Sequence, residues 1–230
     1  MKTIVFWFLL AYLIIIFPRY LKYRKSSYKD ASGNRFLGTV FNKGNYGEFL
    51  TYAKLEKLDE DNKLLVNVYL PKEDGTTTEI DLIMISQTGI YVFESKNYSG
   101  WIFGDEKNKY WTQTLENRQK NKFFNPIWQN KGHIKALESI LQTGDERIYK
   151  SYIIFSERCT LKKISVESDG VEVIKRNNLV RYIKGDLKNK NKLLDKAKID
   201  ETYKRLSKYS LVDERVKKKH IEAIKHKRSQ

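Results

Sequence analysis

Two short apolar segments separated by a tight turn constrain the fold of this chain more than any other feature. Segments 79–85 and 90–96 are rich in Ile, Val, Phe and Tyr, and a Gln-Thr-Gly turn lies between them, which predicts an antiparallel β-hairpin. Side chains alternate between the faces of a strand, so Glu94 and Lys96 are expected on the same face. Pairing around the turn places Asp81 opposite a position between them.

Two carboxylates and one ammonium at the end of this hairpin suggest a cation site. Charged groups among apolar residues are unfavourable unless they are paired or bind a metal. Asp81 and Glu94 would repel each other, and a divalent cation relieves that repulsion. Carboxylate oxygens suit Mg²⁺ or Mn²⁺, which also bind phosphate and can activate water for phosphodiester hydrolysis. Lys96 would position the attacking water or neutralise transition-state charge. On spacing alone, a Glu94–Lys96 ion pair at a strand edge, with Asp81 as an unrelated acid, is the alternative.

A wider set of motifs supports the cation site by resemblance. These motifs are Gly44-Asn-Tyr-Gly-Glu48, Thr78-Glu-Ile-Asp81, Gly89-Ile-Tyr-Val-Phe-Glu-Ser-Lys-Asn-Tyr-Ser-Gly100, Trp101-Ile-Phe-Gly104, Trp111-Thr-Gln113 and Asn125-Pro-Ile-Trp-Gln129. In sequence, order and spacing they resemble the nuclease-related domain (NERD), a branch of the PD-(D/E)xK nuclease superfamily. The resemblance covers about residues 40–160. It implies an α/β fold with a restriction-endonuclease-like mixed β-sheet flanked by helices.

The resemblance also implies roles for six residues. The metal ligands that it implies are Asp81, Glu94 and the backbone carbonyl oxygen of Ser95. The catalytic residues that it implies are Asp81, Glu94, Lys96, Glu48 on the first helix and Gln129 on a later helix. The residue before Asp81 is Ile80, where the superfamily name has proline. The implied cofactor is Mg²⁺ or Mn²⁺.

The whole chain divides into four segments by composition and periodicity. We predict a transmembrane anchor with a basic flank at 1–25, a polar linker at 26–42, a NERD nuclease-like domain at 43–176 and a basic helical region at 177–230. Inside the third segment, the patterns predict a helix at 45–58, a hairpin at 100–115 and a helix from 126 to about 141. Asn125 is the expected N-cap of that last helix.

The N-terminus predicts a single membrane anchor. Residues 3–17 are uncharged and apolar, a run shorter than the ~20 residues that span a bilayer comfortably, although its neighbours can extend it. One lysine precedes the run and four basic residues closely follow it, so the positive-inside rule places the remaining chain in the cytoplasm. We therefore expect a single-pass protein of the cell membrane. The alternatives are a cleaved signal peptide, against which the absence of a small-residue cleavage motif argues, and a buried core helix.

The charge of the chain predicts an anionic partner. Lys and Arg number 44 against 28 Asp and Glu, for a net charge of +16, which suggests nucleic acid or an acidic lipid surface. From Lys184 onward the chain is dense in lysine, and a basic amphipathic helix there could bind phosphate backbones, lie on anionic lipid or form a solvated tail. The single cysteine, Cys159, excludes an internal disulfide.

A few aromatic and small residues have two interpretations each. Trp101, Trp111 and Trp128 can stack on bases or pack in the core. His133 is expected to be a surface or capping residue rather than a catalytic base. Gly47 lets the chain approach the site closely or simply starts a helix.

Three functions follow from these observations. The first is a membrane-anchored, metal-dependent nuclease that hydrolyses phosphodiester bonds in DNA or RNA, with DNA as the favoured partner. The second is a catalytically inactive nucleic-acid-binding module tethered to the membrane. The third is a membrane-surface protein whose basic C-terminal region binds anionic lipid.

Overall fold

Strands in two sheets and the helices around them form the described part of this computed structural model, which comprises residues 2–58, 61–72, 74–189 and 191–228. The strands are β1 Lys63–Pro71, β2 Thr77–Ser86, β3 Gly89–Lys96, β4 Gly100–Asp105, β5 Tyr110–Thr114, β6 Lys120–Phe124, β7 Tyr149–Phe155, β8 Cys159–Ser165 and β9 Val171–Lys175. The helices are α1 Lys2–Ala11, α2 Phe17–Arg24, α3 Tyr28–Ser32, α4 Phe36–Phe41, α5 Lys43–Leu55, α6 Pro126–Leu141, α7 Leu179–Asn189, α8 Lys196–Ser207 and α9 Glu214–Arg228.

The larger sheet mixes antiparallel and parallel pairing. Its strand order is β1-β2-β3-β7-β9, with β1, β2 and β3 antiparallel and β3, β7 and β9 parallel. The smaller sheet has the order β6-β5-β4-β8 and contains the predicted hairpin near residues 100–115 as β4 and β5. The prediction of an α/β fold with a mixed sheet flanked by helices is confirmed, whereas the second sheet was not predicted as a separate unit.

The predicted hairpin is the pair β2 and β3. Its register runs from Ser86 opposite Gly89 to Leu82 opposite Phe93, around a two-residue turn. Gly89 has a φ of 133°, and a Cβ at this position would lie 2.3 Å from the carbonyl oxygen of Ile148. Only glycine therefore allows the turn to pack against the segment that leads into β7.

Apolar layers cover both faces of the larger sheet. Alternate residues of β3 face opposite ways: Tyr91 and Phe93 join the cluster around α5, whereas Ile90 and Val92 join the cluster around α6. Burial on both faces explains why this strand is apolar almost throughout. The sheet therefore holds the C-terminal end of β3 rigidly between two helices.

Segment 26–42 corrects the prediction of a polar linker. It contains α3 and α4, and Tyr28 is fully buried, with its ring centroid 5.4 Å from that of Phe49. The backbone amide of Ser27 donates to Glu56 at 2.9 Å. The linker prediction is wrong because a few aromatic side chains anchor this segment to the core despite its polar composition.

The N-terminal segment is helical, with a π-helical stretch at Tyr12–Ile16 between α1 and α2. Apolar side chains on this segment are exposed, among them Phe6, Trp7 and Ile14. In the part of the chain that the structure describes, no helix combines the length and the apolar character needed to cross a bilayer. The predicted transmembrane anchor and cell-membrane location stay predictions.

Candidate active site

The carboxylate of Asp81 lies where β2 and β3 separate. Leu82 and Phe93 are the last paired residues of the two strands, and beyond them the amide of Ser95 donates to Oδ2 of Asp81 at 2.7 Å. On the other side of β2, Asn67 has a φ of 51° and interrupts the β1–β2 pairing opposite Asp81. The Asp81 side chain thus binds the edge of β3 in place of a backbone partner.

Glu94 and Lys96 point to the same side of β3, as the alternation predicts. The ammonium of Lys96 lies 2.6 Å from Oε1 of Glu94 and donates to Oε1 of Gln129 at 3.0 Å. Glu94 is only 2% exposed. The structure therefore brings three of the predicted site residues, Glu94, Lys96 and Gln129, into one hydrogen-bonded group.

Helix α6 carries Gln129 and a fourth member of this group. Asn125 caps the helix as predicted, because its side chain accepts from the amides of the second and third residues beyond it. His133, four residues after Gln129, lies on the same helix face. Its Nε2 is 3.1 Å from Oε2 of Glu94, and its Nδ1 is 2.8 Å from Oγ1 of Thr78. An ionised carboxylate only accepts hydrogen bonds, so Nε2 is the donor.

The prediction that His133 is a surface or capping residue is wrong. The side chain is buried because α6 packs its inner face directly on β3. The spacing of four residues from Gln129 was the sequence signal for this position. Thr78 was part of a quoted motif, but its contact with the histidine is visible only in the structure.

Helix α5 supplies Glu48 from the opposite side of the sheet. A Cβ on Gly47 would lie 2.9 Å from Cβ of Asn97, so glycine permits the close approach of α5 to the end of β3. Oγ1 of Thr51 also lies 3.1 Å from Oγ of Ser95. Glu48 consequently lies near enough to Glu94 and Asp81 to interact with both charges.

Burial and neighbouring negative charges raise the pKa of two carboxyl groups in the site. Burial, followed by the charges of Glu94 and Glu48, raises the pKa of Asp81 well above its usual value. Burial, followed by the charges of Glu79 and Glu94, raises the pKa of Glu48 to about 8. The site therefore favours protons, or another cation, on these oxygens.

The pKa shifts of Glu94 and Lys96 both favour the charged form of the pair. Burial alone would raise the pKa of Glu94, but Lys96 and the hydrogen bond from His133 outweigh burial and lower it. Burial alone would lower the pKa of Lys96, but Glu94 and then Asp81 outweigh it and raise it. The site thus holds one satisfied ion pair beside two carboxyl groups with raised pKa.

The chemical type of the available ligand atoms suits a hard divalent cation. The oxygens of Asp81, Glu94 and the Ser95 carbonyl match the preference of Mg²⁺ or Mn²⁺, and Mg²⁺ commonly uses one or two carboxylates and completes its shell with water and phosphate. Within the described ranges, no group of three or more His, Cys, Asp or Glu side chains is positioned to hold a metal ion. A set of two carboxylates and a carbonyl is compatible with that finding.

The three tryptophans have different environments. Trp111 is buried, stacks on Phe155 at a centroid distance of 6.2 Å and belongs to the core. Trp101 and Trp128 are 51% and 40% exposed. Trp128 is adjacent to Gln129 in the chain, so an exposed aromatic ring lies beside the candidate site.

Comparison with known sequences identifies the class of protein that this geometry suggests. The sequence model of the nuclease-related domain matches residues 43–156, the stretch that supplies every residue of the candidate site. An uncharacterized protein of Bacillus anthracis is 36% identical over 188 residues, which cover 80% of this chain and 85% of that protein. The chain belongs to the nuclease-related domain family.

Proposed function

We propose that this chain is a metal-dependent nuclease that hydrolyses phosphodiester bonds, with DNA as the first substrate to test and RNA as the second. The convergence of Asp81, Glu94 and Lys96 at one end of β2 and β3, flanked by Gln129 and Glu48, supports the proposal most directly. Membership of a nuclease-related family also supports it.

In this proposal each polar residue has a distinct role. Asp81, Glu94 and the Ser95 carbonyl would hold Mg²⁺ or Mn²⁺, and such an ion, when bound, would polarise the phosphodiester and lower the pKa of a water. Lys96 uses two of its three ammonium protons on Glu94 and Gln129, so the third can point to water or a phosphate oxygen. That geometry suits an electrostatic role for Lys96 in the transition state.

His133 would act through Glu94 rather than on the substrate. The imidazole connects Thr78 to Glu94 and fixes the orientation of the carboxylate. Removal of a residue that hydrogen-bonds to a metal ligand typically lowers activity by about 10–100-fold. His133 is therefore a positioning residue in this mechanism.

Cleavage assays with matched variants test the nuclease function. The full chain in non-ionic detergent is incubated with linear and circular DNA and with RNA, in Mg²⁺, Mn²⁺ or EDTA. Cleavage should require the metal and should fall by at least about a hundredfold in Asp81→Asn and Lys96→Met. Glu116→Gln, which neutralises an exposed carboxylate outside the site, is the control. Cleavage in EDTA, or equal cleavage by Asp81→Asn and wild type, would refute the proposal.

We also propose that the N-terminal segment anchors the protein in the cell membrane, with the catalytic domain in the cytoplasm. Exposed apolar side chains on α1 and the π-helical segment, followed by Arg19 and Lys22 on α2, support an apolar anchor with a basic cytoplasmic flank. The full chain should stay in the membrane fraction after carbonate extraction, and protease should reach the domain only in opened cells. Release of the full chain into the soluble fraction would contradict the anchor.

One observation favours a second function, a catalytically inactive nucleic-acid-binding module tethered to the membrane. Both carboxylate oxygens of Glu94 already have partners, Lys96 and His133, so its charge is satisfied without a metal. Such a module would bind DNA with a steep salt dependence, would not cleave it in any metal, and would keep binding after Lys96→Ala. Metal-dependent cleavage would exclude it.

A further inference from the structure

A cavity of about 220 Å³ lies between α2, α5 and the ends of β3 and β7. We call it the cation pocket. Its charged lining residues are Arg19, Lys43, Arg158, Arg176 and Glu157. Four cations against one carboxylate leave three positive charges around this small volume.

The single carboxylate of the cation pocket is already paired. Arg176 is buried and donates to Glu157 at 2.7 Å and to the carbonyl of Gly47 at 2.9 Å. Arg158 donates to the backbone and side-chain oxygens of Asn97, at 3.0 and 3.1 Å. Its Nε also donates to Oγ of Ser156 at 3.3 Å, and both partners are uncharged, so the positive charge of Arg158 is not neutralised.

Arg19, a third cation of the pocket, also lies near an uncharged side chain. The guanidinium of Arg19 lies 5.3 Å from the ring centroid of Tyr46. Lys43 is exposed at the start of α5. Close by, burial followed by the charges of Lys54 and Lys57 lowers the pKa of Lys22. Of these causes, the charges of Lys54 and Lys57 are the ones that add positive charge near the pocket, whose Arg176 also acts on Lys22.

Asn97 links the cation pocket to the candidate active site. Asn97 follows Lys96 in the chain, and its side-chain amide donates to the carbonyl of Lys43 at 2.7 Å. Lys43 and Glu48 belong to the same helix, five residues apart, which corresponds to about 7.5 Å along its axis. A nucleic acid strand bound at the carboxylates would therefore have a neighbouring phosphate within reach of the pocket.

We propose that the cation pocket binds a backbone phosphate of the nucleic acid substrate, next to the phosphodiester held at Asp81 and Glu94. Arginine and lysine are the side chains that position phosphates, Lys43 as a mobile point charge and Arg158 as a planar donor. The inference rests on the proposed nuclease function for the identity of the substrate. A phosphate contact of this kind strengthens binding of any sequence equally and carries no sequence preference.

Equilibrium binding in EDTA tests the pocket without any cleavage. The full chain in non-ionic detergent is titrated against a fluorescein-labelled DNA oligonucleotide, and anisotropy is measured between 50 and 300 mM salt. Loss of one phosphate contact in Lys43→Ala should weaken binding about five- to tenfold at low salt. The slope of log K against log salt should fall by about 0.7–0.9. Arg158→Ala should change both quantities in the same direction.

The control is Lys163→Ala, which removes an exposed lysine on β8 outside the pocket. An equal slope for wild type and Lys43→Ala, or an equal loss in Lys163→Ala, would overturn the proposal. Soluble short-chain phosphatidylglycerol is tested as a competitor, because a lipid headgroup offers similar phosphate chemistry. If Lys43→Ala weakens lipid binding and leaves DNA binding unchanged, the phosphate comes from lipid and the proposal is wrong.

These outcomes separate the pocket from the nuclease function. If the chain binds DNA through Lys43 but never cleaves it, the phosphate site is supported and only the catalytic proposal is refuted. If the chain cleaves DNA but Lys43→Ala leaves the salt slope of binding unchanged, the catalytic proposal is supported and only the pocket proposal is refuted.

Discussion

Replacement of Glu48 by glutamine removes a carboxyl group whose pKa the fold raises to about 8, chiefly by burial and then by the charges of Glu79 and Glu94. The folded protein binds the proton of this carboxyl group more tightly than the unfolded chain does. The free energy of unfolding therefore falls as the pH rises. The loss begins near the usual pKa of 4.5 and is complete above about 8. Glutamine is neutral throughout this range, so the variant should avoid the loss.

The magnitude follows from the size of the pKa change. The difference between 4.5 and about 8 corresponds to about 5 kcal/mol at 1.36 kcal/mol per pH unit. The burial of Glu48 is incomplete, because the residue has an intermediate exposure, and solvent screening reduces such interactions. We therefore expect Glu48→Gln to exceed wild type by about 2–3 kcal/mol in free energy of unfolding at pH 8.5 and to equal it near pH 4.5.

Urea unfolding in EDTA, followed by tryptophan fluorescence at half-unit pH steps, measures this difference. The exposed Glu116→Gln should show no pH-dependent gain. Addition of Mg²⁺ to wild type should narrow the gap at pH 8.5, because a bound cation stabilises the ionised carboxylates of the folded state. A gap that does not grow with pH, or a less stable Glu48→Gln at pH 8.5, would refute the idea that the site carries excess negative charge.

The remaining predictions concern buried contacts. Lys96→Met leaves the buried Glu94 without its ammonium and should lower the free energy of unfolding by about 3 kcal/mol in urea, with most of the loss recovered in Lys96→Met/Glu94→Gln; no loss would contradict a buried pair. His133→Ala should lower metal-dependent cleavage about 10–100-fold and leave DNA binding in EDTA unchanged, and equal loss of both would indicate misfolding. Gly104→Ala places a Cβ 2.1 Å from a buried indole and should destabilise by about 1–3 kcal/mol in a thermal melt, whereas Gly185→Ala, which meets nothing within 4 Å, should not destabilise.

Local patterns were sufficient to predict the hairpin that carries the site. Strand residues alternate faces with a period of two, and the turn sets the register, so the shared face of Glu94 and Lys96 followed from spacing. The start of α6 could also be predicted, because an N-cap depends only on the capping residue, here Asn125, and its immediate neighbours. Glu48 and Gln129 came from family resemblance and not from local patterns.

Whether segment 26–42 and His133 are buried depends on tertiary packing, which local sequence patterns do not show. Polar composition describes the average residue, but one buried aromatic such as Tyr28 decides whether a segment lies on the core. A histidine on an amphipathic helix is exposed or buried according to the face that meets the sheet, and that face is set by distant residues.

By itself, the amino-acid sequence determined which strands form the hairpin and which side chains share a face, because both properties depend on neighbours along the chain. Only the tertiary structure decided that Asp81 binds the amide of Ser95, that His133 supports Glu94 and that a cation pocket lies beside Lys96. Those contacts join residues 14 to 61 positions apart, and their geometry depends on how α5 and α6 pack on the sheet.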